Sequence, residues 1–294
     1  MLTGRFEHIR GVRTLGGAGD RWYGAWIDGL TPGGTFGGPS PNPSLTVSYI
    51  NMVCGFAPSS GYGIYGNGSL ADLWLVQPET ASGNKSIFFD LTNGGGSAGA
   101  DVKVINPVCD GYRNNGIHIL NAPLGSTLNI ESPYVAGASG ATGDALRLEA
   151  SHGVAITNVQ AIGGLSPGVY GAYIADGTEC TISGRFVDYN TAFYAISAVS
   201  CDFDIKAVNT SGASSQQAML LIGGRRSKAS LATMRLSGAW TYGIALDASA
   251  SQYMLDVTRV QGATNRIARA TVPIGAQGNI HSHMIINPGS PITT

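Results

Sequence analysis

The sequence predicts an all-β chain folded as a right-handed parallel β-helix, with about 25 residues per turn and about eight to ten turns. Three observations carry this reading. One short apolar pattern returns at near-constant spacing, its returns read as strands separated by turn-forming residues, and no segment repeats apolar residues at helical spacing with caps. The central apolar residues of the returns are Ile64, Phe88, Ile117, Leu146, Ile174, Ile196, Ile222, Ile244 and Ile267. Their separations run from 22 to 29 residues, and a period in that range marks a stacked-repeat architecture.

Residues 1–44 differ from the rest. Trp22, Tyr23 and Trp26 precede a Gly/Pro-rich run, GLTPGGTFGGPSPNP (29–43), in which Pro lacks a ladder donor and Gly weakens a strand. This segment is expected to be an N-terminal cap or attachment segment with a linker. Residues 45–287 are expected to form the β-helix and 288–294 a C-terminal tail. Within 45–287 a second strand family tracks the first: LADLWLV (70–76), ADVKVI (100–105), STLNIE (126–131), GVAITNV (153–159), CTISGRF (180–186), DFDIKAV (202–208), ATMRL (232–236) and YMLDVTRV (253–260). Each alternates apolar and polar residues, as a half-buried strand must. Turn clusters such as TNGGGSAG (92–99) and VAGASGATG (135–143) separate them. Leucine-rich repeats share the period but need a leucine frame and a return segment that this chain lacks, and propeller blades need about 40 residues or more. Two or three short strands per 25 residues fit one turn of a β-helix.

Composition agrees. Charged residues make up 12% of the chain and Gly 43 of 294 positions, while 43% apolar content excludes disorder. A net charge of −1 gives no electrostatic grip on nucleic acid or an anionic membrane. No apolar run approaches the length of a membrane-spanning helix, and MLTGRFEHIRGVRT has no secretory apolar core. Cys54, Cys109, Cys180 and Cys201 are too scattered for a disulfide framework. Cys180 and Cys201 head similar strands one repeat apart, which suits buried thiols stacked on neighbouring turns.

If each central apolar residue points inward, the next one points outward. This predicts an outer column of Tyr65, Phe89, His118, Arg147, Ala175, Ser197, Gly223, Ala245 and Ala268. Tyr65, Phe89, His118 and Arg147, with Glu149 and Tyr173 beside them, would form a saccharide-binding patch, because aromatic faces stack on apolar sugar faces and Arg recognises carboxylates. In an eliminative mechanism Arg147 would neutralise a uronate while His118 or Tyr173 took the adjacent proton. A hydrolytic one would need two carboxylates, for which Glu149 and Asp176 on adjacent repeats are candidates. Acids at strand ends are equally suited to forming turns. His281 and His283 share a face and could hold a metal around a trimer axis, but no acid or thiol nearby completes a site. No cofactor is expected.

The stretches GYGIYGNGSLADLWL (61–75), DGYRNNGIHIL (110–120) and GIALDASASQYMLDVTRVQG (243–262) resemble the right-handed parallel β-helix of pectate-lyase-like proteins and bacteriophage tailspikes. The resemblance spans most of 45–287. The GDGxxDD-type opening common in that superfamily is absent, the nearest approach being GGAGDRW (16–22). The resemblance implies a homotrimeric, carbohydrate-facing virion or cell-surface protein, the virion protein being made in the host cytoplasm. Its partners would be host-surface polysaccharide and, through residues 1–44, other virion proteins. A polysaccharide depolymerase and a purely architectural virion protein are the alternatives.

Overall fold

The computed structural model describes residues 61–269 apart from short stretches (93–99, 164–168, 211–214, 236–239 and a few single positions). It also describes the strand backbones Leu2–Glu7, Arg10–Val12, Tyr23–Asp28, Leu45–Ile50, Val53–Gly55, Val272–Ile274 and Met284–Ile286. Among the described residues the chain forms a right-handed parallel β-solenoid, all strand and turn. Each turn contributes to three faces, and each face is a parallel ladder between successive turns.

On the first face the register runs Ile64, Ile87, Ile117, Leu146, Ala172, Phe193, Met219, Ile244, Ile267. All nine side chains point inward and are fully buried. On the second face Leu75, Val104, Ile130, Ile156, Ile182, Phe203, Ala229 and Leu255 stack in the same way. The third face carries Thr80, Cys109, Val135, Ala161, Phe186, Ala207 and Thr233 inward. Register also divides 228–235 differently from the expected strand at 232–236: Lys228–Leu231 continue the second face, and Ala232–Arg235 lie opposite Lys206–Asn209 on the third.

The residue before each of the first eight inward positions on the first face is small: Gly63, Ser86, Gly116, Ala145, Gly171, Ala192, Ala218, Gly243. The cause is close approach of the next turn. A Cβ on Gly63 would lie 2.5 Å from the Ser86 carbonyl oxygen, and one on Gly171 would lie 2.4 Å from that of Ala192. The strands of this face then end at a left-handed corner. Asn121, Ala150, Asp176 and Ser197 occupy it with φ of 57°, 46°, 53° and 55°. Each donates its amide to the strand-end carbonyl of the following turn, so no donor is orphaned at the bend.

The next corner satisfies its backbone through side chains. The Cys180 amide donates to Cys201 Sγ (3.4 Å), and the Cys201 amide donates to Ser227 Oγ (3.1 Å). Cys180 and Cys201 are buried free thiols on adjacent turns, as expected from their spacing. The hydrogen bond with Cys201, and then burial, push the Cys180 thiol far above its ordinary range.

The ladder reaches into 1–44, where Leu2–Glu7, Arg10–Val12 and Tyr23–Asp28 pair in parallel with Leu45–Ile50, Val53–Gly55 and Tyr62–Asn67. The Gly/Pro-rich run at 29–43 lies outside the described residues. At the other end two antiparallel strands close the ladder: Val272–Ile274 pairs with Ala263–Arg269, and Met284–Ile286 with Tyr253–Arg259. A reversed strand covers the last rung, whose unpaired edge would otherwise template further pairing.

Phe89, expected on the surface, is inward and fully buried, because it pairs with Ile119 rather than with His118. Phe89→Ala is therefore expected to cost about 3–5 kcal/mol in denaturant unfolding. A loss under about 1 kcal/mol, the range of an exposed position, would place the ring outside.

Candidate functional site

The first face carries its chemistry outward. Register aligns Tyr65, Phe88, His118, Arg147, Tyr173 and Tyr194 on six consecutive rungs, followed by Leu220 and Ala245. Five rung spacings make this column about 24 Å long. A partner column begins three residues earlier with Tyr62, Lys85, Asn115, Asp144 and Tyr170. Tyr62 meets Tyr65, Lys85 meets Phe88, Asp144 meets Arg147 and Tyr170 meets Tyr173, each pair with a small buried residue between its members.

Rings occupy both ends. Tyr62, Tyr65 and Phe88 lie with centroids 5.4–5.7 Å apart. Tyr170, Tyr173 and Tyr194 form a second triad at 4.7–5.8 Å. Between them the His118 ring stacks on Phe88 at 4.8 Å, and the Arg147 guanidinium lies 4.3 Å from the Tyr173 centroid. Offset and tilted pairs of this kind contribute about 0.5–1.5 kcal/mol each beyond burial.

A hydrogen-bonded chain links the two triads. Lys85 Nζ lies 2.7 Å from His118 Nδ1, and also 3.7 Å above the Phe88 ring. His118 Nε2 lies 2.8 Å from Glu149 Oε2. Arg147 donates to Glu149 Oε1 at 2.7 Å and to Asp144 Oδ2 at 3.0 Å, and Asp144 Oδ1 accepts the Tyr170 amide at 2.9 Å. A protonated lysine can only donate. His118 Nδ1 must therefore accept, which leaves the ring proton on Nε2, directed at Glu149.

Burial, then the charge of Lys85, lower the His118 pKa to about 4. Burial lowers Lys85 itself to about 8. Burial raises Asp144, its largest influence, while Arg147 and the Tyr170 amide oppose the rise. Burial pushes Glu149 up as well, but Arg147 and His118 outweigh it and hold this carboxyl below its ordinary value. At neutral pH the chain reads cation, neutral ring, anion, cation, anion.

Of the residues expected from sequence, Tyr65, His118, Arg147, Glu149 and Tyr173 come together. Phe89 does not, and Phe88 stands in its place. Tyr173 enters the column where Ala175 had been expected, and Tyr194 where Ser197 had been. Asp176 sits on the left-handed corner with φ 53°, and it pairs its amide with the next turn. Glu149 spends both carboxylate oxygens on His118 and Arg147. For elimination, Arg147 is already neutralised by two carboxylates, and His118 holds partners at both nitrogens. His281 and His283 lie outside the described residues. Among the described residues no group of three or more His, Cys, Asp or Glu could hold a metal ion, and no helix is long and apolar enough to cross a membrane.

Lys85, Tyr62, Tyr170 and Tyr194 were not singled out by sequence reasoning, and Phe88 was expected to point inward, whereas register places it in the outward column with Tyr65 and His118. The three-residue spacing of Tyr62/Tyr65, Lys85/Phe88, Asp144/Arg147 and Tyr170/Tyr173 around a small residue was the available signal. Fold and site together define a parallel β-helix bearing an outward aromatic and ionic column. Comparison with protein-family models, curated proteins and solved structures finds no match.

The neutral state of His118 has a pH signature. Its folded pKa lies below the unfolded value of about 6.5, so its contribution to stability is complete above that pH and is lost as pH falls through about 4. NMR titration of the ring is expected to give a midpoint near 4, with the proton on Nε2. In denaturant unfolding, His118→Gln should flatten the stability loss between about pH 6.5 and 4. A midpoint near 6.5 would contradict the buried chain.

Proposed function

We propose that this chain is a spike- or fibre-type structural protein of a bacteriophage virion and that it binds host-surface polysaccharide as a homotrimer through the aromatic column. The observation that carries this reading is the pair of aromatic triads bracketing a polar strip on consecutive rungs. Such a surface offers several ring faces in line, spaced by the solenoid itself, to an extended chain of sugars. The virion setting rests on the resemblance of the repeat to tailspike β-helices. Attachment to other virion proteins is assigned to residues 1–44.

Trimerisation is supported by the lower part of the same face. Ile196, Leu220, Ile222 and Ala245 point outward there and are half-buried, so an apolar surface continues the column. Contact between subunits would remove it from water.

A depolymerase is the second reading, favoured by one observation: the Lys85–His118–Glu149 chain resembles a relay that sets the protonation of a terminal amine. The two readings separate in one assay. Incubation with purified host glycans should give binding without new reducing ends or unsaturated ends, and product formation would move the assignment to the enzyme. Tyr173→Ala and Tyr194→Ala are each expected to weaken glycan binding about tenfold, equivalent to about 1.4 kcal/mol. Unchanged affinity in both would remove the column from the binding surface. Light scattering should return the mass of three chains, and a monomer at working concentration would refute the trimer.

A further inference from the structure

The charge arrangement of the column narrows its ligand, an inference that rests on the glycan reading above. We propose that the column selects an uncharged polysaccharide and rejects acidic ones.

The ionic groups beside the rings are committed to one another. Each terminal nitrogen of Arg147 already holds a carboxylate oxygen, NH1 that of Asp144 at 3.0 Å and NH2 that of Glu149 at 2.7 Å. An incoming uronate could take the guanidinium only by displacing one of them. Displacing Asp144 would leave an uncompensated charge on a side chain that is 3% exposed. Separating one partner from a buried pair is strongly unfavourable. Lys85 is no better placed, since its ammonium is directed at His118 Nδ1 and lies over the face of Phe88.

The field points the same way. Two cations, Lys85 and Arg147, share this strip with the carboxylates of Asp144, Glu149 and Asp90, the last of which acts on Lys85 through space. His118, held neutral, adds no positive charge. The strip therefore carries an excess of negative charge, and an anionic chain laid along it meets like charge that nothing in the column offsets. What the column offers outward is ring faces, with the half-exposed tyrosines Tyr170, Tyr173 and Tyr194 at one end. Apolar ring faces with phenol hydroxyls at their edges suit sugars that carry only hydroxyl groups.

The test uses the full chain and isothermal titration at low and high salt. The neutral probes are dextran and galactomannan, and the acidic probes are polygalacturonate and alginate. A neutral probe should bind, with affinity changed less than about twofold by salt, as expected where no net charge is neutralised. The acidic probes should not bind. Glu149→Gln, checked for folding by circular dichroism, loosens one hold on Arg147 and removes one negative charge. It should gain salt-sensitive binding of polygalacturonate or alginate. If the unmodified chain binds an acidic probe with an affinity that falls on adding salt, the selectivity is refuted and the glycan reading stands. If none of the four probes binds at either salt concentration, the glycan reading fails and the selectivity falls with it. The salt comparison on the unmodified chain holds whether or not the variant folds.

Discussion

Everything in this molecule depends on the register of backbone hydrogen bonds between successive turns. A strand alternates its side chains with a period of two, so a shift of one residue exchanges inside for outside along a whole rung. On the first face the register is pinned by sterics as well as by apolar burial. From Gly63 to Gly243 each strand enters past a small residue, and the carbonyl of the next turn comes so close at Gly63, Gly116 and Gly171 that a Cβ there would lie within 2.4–2.6 Å of it. With the entry point fixed, the inward residue follows at once and the outward residue comes next. Stacked over six rungs, that order makes a column.

The chemistry of the column is a consequence of stacking. His118 has Phe88 on one rung and Arg147 and Glu149 on the next, so its ring is enclosed by neighbours that the sequence places about 30 residues away in either direction. Enclosure disfavours the imidazolium, and the ammonium of Lys85 at Nδ1 disfavours it further. Arg147 reaches Glu149 on its own strand and Asp144 just before it, while lying over Tyr173 on the following rung. The result is an ionic strip whose groups are bonded to one another and whose largest outward features are rings. An exposed ion pair contributes little, but this one is half-buried and continuous with two aromatic triads, so its members hold each other's geometry.

The fold was legible in the sequence because period and alternation are properties of the whole chain and tolerate local error. Ile64, Ile117, Leu146, Ile244 and Ile267 are the inward residues that the periodicity indicates. The site was less legible because outward positions are also apolar here. In Ile87-Phe88-Phe89 the hydrophobic pattern has no preferred parity, and only the small Ser86 marks where the rung begins. In Tyr170–Ala175 the bulky Ile174 draws attention, although Ala172 is the residue in register with Leu146. Ile196 and Ile222 read as core residues, yet Phe193 and Met219 fill the core on those rungs and the isoleucines face outward. Their identity is explained once that face is taken as a contact surface. The small residue preceding each inward position, visible in the sequence from Gly63 to Gly243, carries the parity that the apolar residues lose.

The central claim is that Phe88, and not Phe89, shares a surface with His118 across one rung. A double-mutant cycle on unfolding free energy, built from Phe88→Ala and His118→Ala, measures that contact directly. The stacked rings at 4.8 Å predict a coupling of about 0.5–1.5 kcal/mol. Additivity within about 0.3 kcal/mol would show that the two rings do not touch, and the column would have to be redrawn in another register.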